Sequence, residues 1–204
     1  MDATLREELE AKIAAHCRAG DFATAITIAI KGYGPEVLGY LHAANRREQD
    51  VADCFSLYCE QVWRGLPTFR GESSFRTWSY RIAYRAVLRV ARTGSRRGRR
   101  EVVMSEIPEV EAIVAKVRTR TLPHLRTEVK REVARLRESL SDDDRTLLIL
   151  RVDRDLPWDE IATIVDPEAA GPDELKRTSA TLRKRFGRIK AKLRELSKDL
   201  VVDE

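Results

Sequence analysis

Apolar residues along this 204-residue chain recur every three or four positions, which is the spacing of helices that bury one stripe. Val, Ile and Thr do not gather into the short alternating runs that strands need. Leu5, Leu9 and Ile13 predict a helix over about Ala3–Arg18, stopped by Ala19-Gly20, with Asp21 capping the next. A second helix is expected from Phe22 to about Lys31. Gly32-Tyr33-Gly34-Pro35 reads as a break with Pro35 at a new helix start, and Val37, Leu38 and Leu41 then carry a third helix to near Asn45. From Gln49 to about Arg64 a longer helix turns Val51, Cys54, Phe55, Tyr58, Val62 and Trp63 inward and is ended by Gly65-Leu66-Pro67. After a loop from Thr68 to Ser73, Ser74 caps a helix marked by Phe75, Trp78, Ile82, Ala83 and Val87 that runs to about Arg92.

Beyond it the pattern weakens. Residues 101–122 are of mixed charge, with Pro108 inside and Pro123 just after, and read as a linker. A second lobe opens with a helix over about Leu125–Leu140 and restarts after Ser141-Asp142-Asp143-Asp144 with Leu147, Leu148, Leu150 and Val152. Asp155-Leu156-Pro157 breaks it again. Trp158, Ile161, Ala162 and Ile164 form a short amphipathic helix, and a loop from Asp166 to Pro172 leads to a long basic helix over about Asp173–Leu200. The expected fold is all-α: a helical domain over 1–100, a linker over 101–122, and a second helical domain over 123–204 containing a helix-turn-helix.

A hydrophobic fraction of 43% excludes a disordered chain. Residues 1–10 lack the basic, apolar and small-residue sections of a signal peptide, and no apolar run approaches a membrane span, so a cytoplasmic protein without membrane insertion is expected. Cys17, Cys54 and Cys59 are odd in number, lie within helical patterns and lack zinc-site spacing, so they read as buried thiols. His16, His42 and His124 are far apart, and no phosphate-cradling glycine loop or nucleophile motif is present. Neither an enzyme nor a cofactor, metal or small-molecule substrate is therefore expected. Asp142, Asp143 and Asp144 suit a helix N-terminus better than a metal.

Charge becomes informative through its placement. Lys and Arg exceed Asp and Glu by only 38 to 33, yet Arg76 to Arg100 holds nine arginines, no lysine and no carboxylate. Arg76, Arg81, Arg85, Arg89, Arg92 and Arg96 recur mostly every four or five residues, which puts many of them on one helix side. Arginine's planar fork grips phosphate and lies flat on exposed bases. Phe69, Phe75, Trp78, Tyr80 and Tyr84 lie in or beside this ridge and suit stacking on unpaired bases, although Phe75 and Trp78 also read as core. In the second lobe, the short helix from Trp158 followed by the basic one has helix-turn-helix grammar. Lys176, Arg177, Ser179, Ala180, Arg183 and Lys184 are its candidate duplex-reading residues. A helix with Asp50, Asp53, Tyr58 and Trp63 suits a protein partner better than DNA.

Two blocks carry a family resemblance. One runs from Asp50-Val51-Ala52-Asp53 through Val62-Trp63-Arg64 and Phe69-Arg70-Gly71-Glu72-Ser73-Ser74-Phe75-Arg76-Thr77-Trp78-Ser79-Tyr80-Arg81-Ile82-Ala83. The other runs from Leu140-Ser141-Asp142-Asp143-Asp144-Arg145 through Trp158 and Glu160-Ile161-Ala162 to Arg183-Lys184-Arg185. In order and spacing the chain resembles the extracytoplasmic-function group of bacterial sigma factors. The resemblance implies a promoter-specificity subunit with core RNA polymerase and promoter DNA as partners, and an anti-sigma factor is common in the family. It implies polymerase docking through Asp50, Asp53, Tyr58 and Trp63. Melting of the minus-ten element and single-strand binding would fall to Phe69, Arg70, Ser73, Phe75, Arg76, Trp78, Tyr80, Arg81 and Arg85, and minus-thirty-five reading to the helix from Lys176. Cys54 and Ser56 stand where the family usually has Leu and Gln, and the loop from Asp166 to Pro172 is longer than the usual turn.

Overall fold

The structure, a computed structural model, describes residues 2–93, 116–117, 137–166 and 171–202, and these contain helices and turns but no strand. The chain forms two compact units, Met1–Leu125 and Arg126–Glu204. Most of the expected linker (101–122), the helix expected over 125–140 up to residue 136, and Arg96 to Arg100 lie outside the described residues.

The first unit is built from α1 (Ala3–Arg18), α2 (Phe22–Ala44), α3 (Glu48–Gly65) and α4 (Phe75–Thr93), with a 3₁₀ turn over Leu66–Thr68. Gly20, at φ +73°, ends α1, and Asp21 Oδ1 accepts the Thr24 amide at 3.1 Å to start α2. Ile13 is buried, whereas Leu5, expected on the same stripe, is 58% exposed.

Where a break was expected at residues 32–35, α2 runs through unbroken, with Pro35 inside it. The reason lies in the stripe: Ile26, Ile30, Tyr33, Val37, Leu41 and Ala44 are all buried and keep helical phase across the Gly-Tyr-Gly-Pro run. Packing along a continuous helix outweighs the amide bond that Pro35 cannot make, and its ring lies on the exposed side. Gly32 serves close approach, since a Cβ there would run into the Leu9 side chain of α1. Tyr33, Tyr40, Phe55, Tyr58, Phe75 and Tyr80, contributed by α2, α3 and α4, are among the largest side chains of this core. Cys54 and Cys59 are buried within it, while Cys17 is half-buried with its thiol pKa pushed up by burial.

The second unit contains α5 (Asp142–Leu148), a π-helical turn over Ile149–Asp153, α6 (Trp158–Val165) and α7 (Pro172–Val202). Ser141 caps α5 by accepting the Asp144 amide at 3.2 Å. Leu147, Leu148, Ile149, Leu150, Leu156, Ile161, Ala162 and Ile164 form its core, closed by Ser179, Leu182 and Ile189 of α7. Asp143 and Asp144 face a cation of the chain itself: Arg185 lies 3.5 Å from Asp143 and 2.5 Å from Asp144. Burial opposes the charge on Arg185, yet Asp144 and then Asp143 raise its pKa above the ordinary value.

Candidate nucleic-acid interface

The loop before α4 and that helix's first turn are tied together by aromatic rings. Phe75 is buried, with Tyr33 stacked at 5.8 Å on one side and Phe69 edge-on at 5.6 Å. Trp78 lies 5.1 Å from Phe69 and 5.4 Å from Phe75, over the end of α3, where a Cβ on Gly65 would come within 2.8 Å of its ring. Phe69 and Trp78 remain partly open to water, and Arg70 is exposed beside them. Ser73 is half-buried, and its hydroxyl donates to the Ser74 carbonyl oxygen at 3.3 Å. Gly71 at φ +73° lets the loop turn where a side chain would strain it.

The arginines of α4 divide between inside and outside. Arg76 is 5% exposed. Its Nε donates to Glu36 Oε1 at 2.9 Å, its Nη2 pairs with the same oxygen, and the Tyr80 hydroxyl donates there at 2.9 Å. Phe75, Arg76 and Tyr80, sequence candidates for touching single-stranded DNA, are thus buried in this unit. Arg85, Arg89 and Arg92 are exposed and Arg81 half-exposed. The Arg81 pKa is lowered by burial and by the charge of Arg85 one turn on, a repulsion that a polyanion would relieve.

On α3 the four sequence candidates also separate. Asp50 is buried, bound by Arg47 Nε at 2.9 Å, with its Oδ1 enclosed and lacking a hydrogen-bond partner. Tyr58 is buried and shares a hydrogen bond with the Ser79 hydroxyl at 2.7 Å; burial pushes its pKa far above the usual phenol range. Asp53 and Trp63 keep part of their surface in water.

In the second unit, α7 turns Leu175, Ser179, Leu182, Phe186 and Ile189 toward its neighbours, a clean three-and-four spacing. Lys176, Arg177, Ala180, Arg183 and Lys184 lie outside that stripe and are exposed. Ser179 is buried and donates to Asp159 Oδ1 of α6 at 2.8 Å, so it braces the two helices instead of facing outward. Trp158 has two guanidinium groups over its ring, Arg151 at 5.3 Å and Arg183 at 6.0 Å, and meets the Phe186 ring edge-on at 5.5 Å.

Sequence reasoning missed Glu10. This carboxylate of α1 accepts the Phe75 amide at 2.6 Å, the Arg76 amide at 2.9 Å and the Tyr33 hydroxyl at 2.5 Å. With Ser74 Oγ accepting the Thr77 amide at 3.0 Å, the first three amides of α4 are satisfied by side chains. Position 10 beside the apolar Leu9 was a weak hint that it faces inward, but nothing local joins it to residue 75. Among the described residues there is no cluster of metal-ligating side chains, and no helix long and apolar enough to cross a membrane.

Residues 29–97, spanning most of α2, all of α3 and the whole of α4, match the Sigma-70 region 2 family. An ECF RNA polymerase sigma-E factor of Haemophilus influenzae is 29% identical over 145 residues, covering 70% of this chain and 76% of the relative. The RNA polymerase sigma factor YlaC of Bacillus subtilis is 29% identical over 134 residues, 65% of this chain and 75% of its own. The RNA polymerase sigma-H factor of Pseudomonas aeruginosa is 26% identical over 164 residues, 79% of this chain and 84% of its own. With a region 2 match across its arginine-bearing helix and RNA polymerase sigma factors aligned along most of its length, this chain is similar to sigma factors of the extracytoplasmic-function group.

Proposed function

We propose that this chain is a sigma factor that docks on core RNA polymerase through α3, opens the minus-ten element with the face formed by the Phe69–Ser74 loop and α4, and reads the minus-thirty-five element with α7. The observation that carries the reading is the juxtaposition on the first unit of partly open aromatic rings, Phe69 and Trp78, with exposed Arg70 and the outer arginines of α4. Stacking platforms beside a cationic groove suit an extruded base and the backbone that follows it. Of the docking candidates, Asp53 and Trp63 keep part of their surface in water, while Asp50 and Tyr58 are buried. In the second unit α6 braces α7 through Asp159 and Ser179, which leaves Lys176, Arg177, Ala180 and Lys184 to enter a major groove as a helix-turn-helix does. Arg183, against Trp158, is placed for phosphate or base contact at the edge of that face.

The test is gel filtration of the chain with bacterial core polymerase, followed by promoter opening on a DNA library. A stoichiometric complex that opens a selected sequence is the expected result. Tight duplex binding without polymerase binding would replace it with a polymerase-independent regulator.

A further inference from the structure

The geometry assigns to Glu10 the role of a positioning residue for strand opening: from α1, it fixes the start of α4 and thereby the ring cluster that shapes the melting loop. The inference rests on the minus-ten reading above and names a residue outside the 29–97 family match.

A helix presents unsatisfied amides and partial positive charge at its N-terminus. On α4 that position is filled from within the chain, because both Glu10 oxygens are used, Oε2 on the Phe75 amide and Oε1 on the Arg76 amide and the Tyr33 hydroxyl. Two consequences follow. A DNA phosphate cannot take the anion site that a helix N-terminus otherwise offers, so the strand must be gripped by arginine side chains. The position of Phe75 is also set by α1, and through Phe75 the positions of Phe69 at 5.6 Å and Trp78 at 5.4 Å. Tyr33 joins both effects, since its hydroxyl donates to Glu10 while its ring stacks on Phe75. Without the carboxylate, the first turn of α4 frays. The loop must then be ordered when the base arrives, a cost charged to DNA capture and not to polymerase docking.

The experiment uses the full chain in complex with bacterial core polymerase, and a labelled single-stranded oligonucleotide of the non-template minus-ten sequence selected in the opening assay. Affinities are measured well below the melting temperature of each variant, at several salt concentrations. Glu10→Ala is expected to weaken oligonucleotide capture by about five- to tenfold, the size of a lost helix cap. Core affinity should stay at the wild-type value, and the slope of log affinity against log salt should not change, since no phosphate contact is lost. Glu10→Gln, which keeps one acceptor oxygen, and Tyr33→Phe, which removes only the hydroxyl, should give smaller losses in the same direction. These two milder variants carry the test if Glu10→Ala does not fold. Undiminished capture in the variants, an equal loss of core affinity, or a shallower salt slope would each overturn the assignment. A wild-type complex that forms but captures no oligonucleotide would instead sink the melting reading itself.

Discussion

Arg76 shows how far a residue's role depends on its neighbours. Its spacing places it in an arginine ridge, yet one oxygen of Glu36 receives two of its nitrogens and the Tyr80 hydroxyl, and the group is enclosed. A buried charge stripped of its partner is costly, so Glu36→Ala should lower stability in urea unfolding by about 3–5 kcal/mol. Removing the exposed Lys12–Glu8 pair by Lys12→Ala should change it by less than about 1 kcal/mol. Tyr33 and Tyr58 give the unit an alkaline weakness. Burial raises both pKa values, and the hydrogen bond to Glu10 and the charges of Glu10 and Glu36 raise that of Tyr33 further. In the unfolded chain these phenols ionise near pH 10, while in the folded one they stay neutral. Their contribution is therefore complete below about pH 10 and is lost as pH rises through the folded values. Urea midpoints at about pH 8 and pH 11 should differ less in Tyr33→Phe than in the wild type. Burial of this kind was legible for Phe75 and Tyr58 from their apolar stripes. It was hidden for Arg76, Tyr80 and Ser179, because each turns inward to a partner distant in sequence.

At the scale of elements, period proved a better guide than punctuation. The ends of α1, α3 and α4 fall within a residue or so of the positions expected from Gly20, Gly65 and Ser74, where local chemistry decides. Pro35 looked like the same kind of signal and was not, because the stripe from Ile26 to Ala44 keeps phase through it. Pro35→Ala restores a missing amide on an exposed flank and should raise stability by about 1–3 kcal/mol, partly offset by a freer unfolded chain. A loss in thermal unfolding would overturn that expectation. Ser141→Ala, which removes the α5 cap, should cost about 1 kcal/mol. The π-helical turn over Ile149–Asp153 was not legible, since its apolar residues fit an ordinary helical period equally well.

Across the whole molecule, the all-α character of the described residues was readable because nearly every segment carries the same helical period. The division of DNA contacts between the units proposed above makes a prediction that neither unit alone would make. Arg85→Ala should weaken single-strand capture uniformly across sequences and lower the salt slope by about 0.7. Arg177→Ala should instead weaken selection of the upstream duplex sequence by about 1–3 kcal/mol, measured by competition between matched and mismatched promoters. Polymerase binding should survive both changes, and its parallel loss would count against the division.

The setting of Trp158 has an optical consequence. The chain has three tryptophans, of which Trp63 and Trp78 belong to the first unit and Trp158 to the second. With Trp63 and Trp78 replaced by Phe, all indole emission comes from the ring that Arg151 and Arg183 approach. If Arg183 is drawn away to a phosphate, that ring loses one cationic neighbour and its emission changes. On the reading of α7 proposed above, the second unit would report duplex engagement through this ring, readable without a dye.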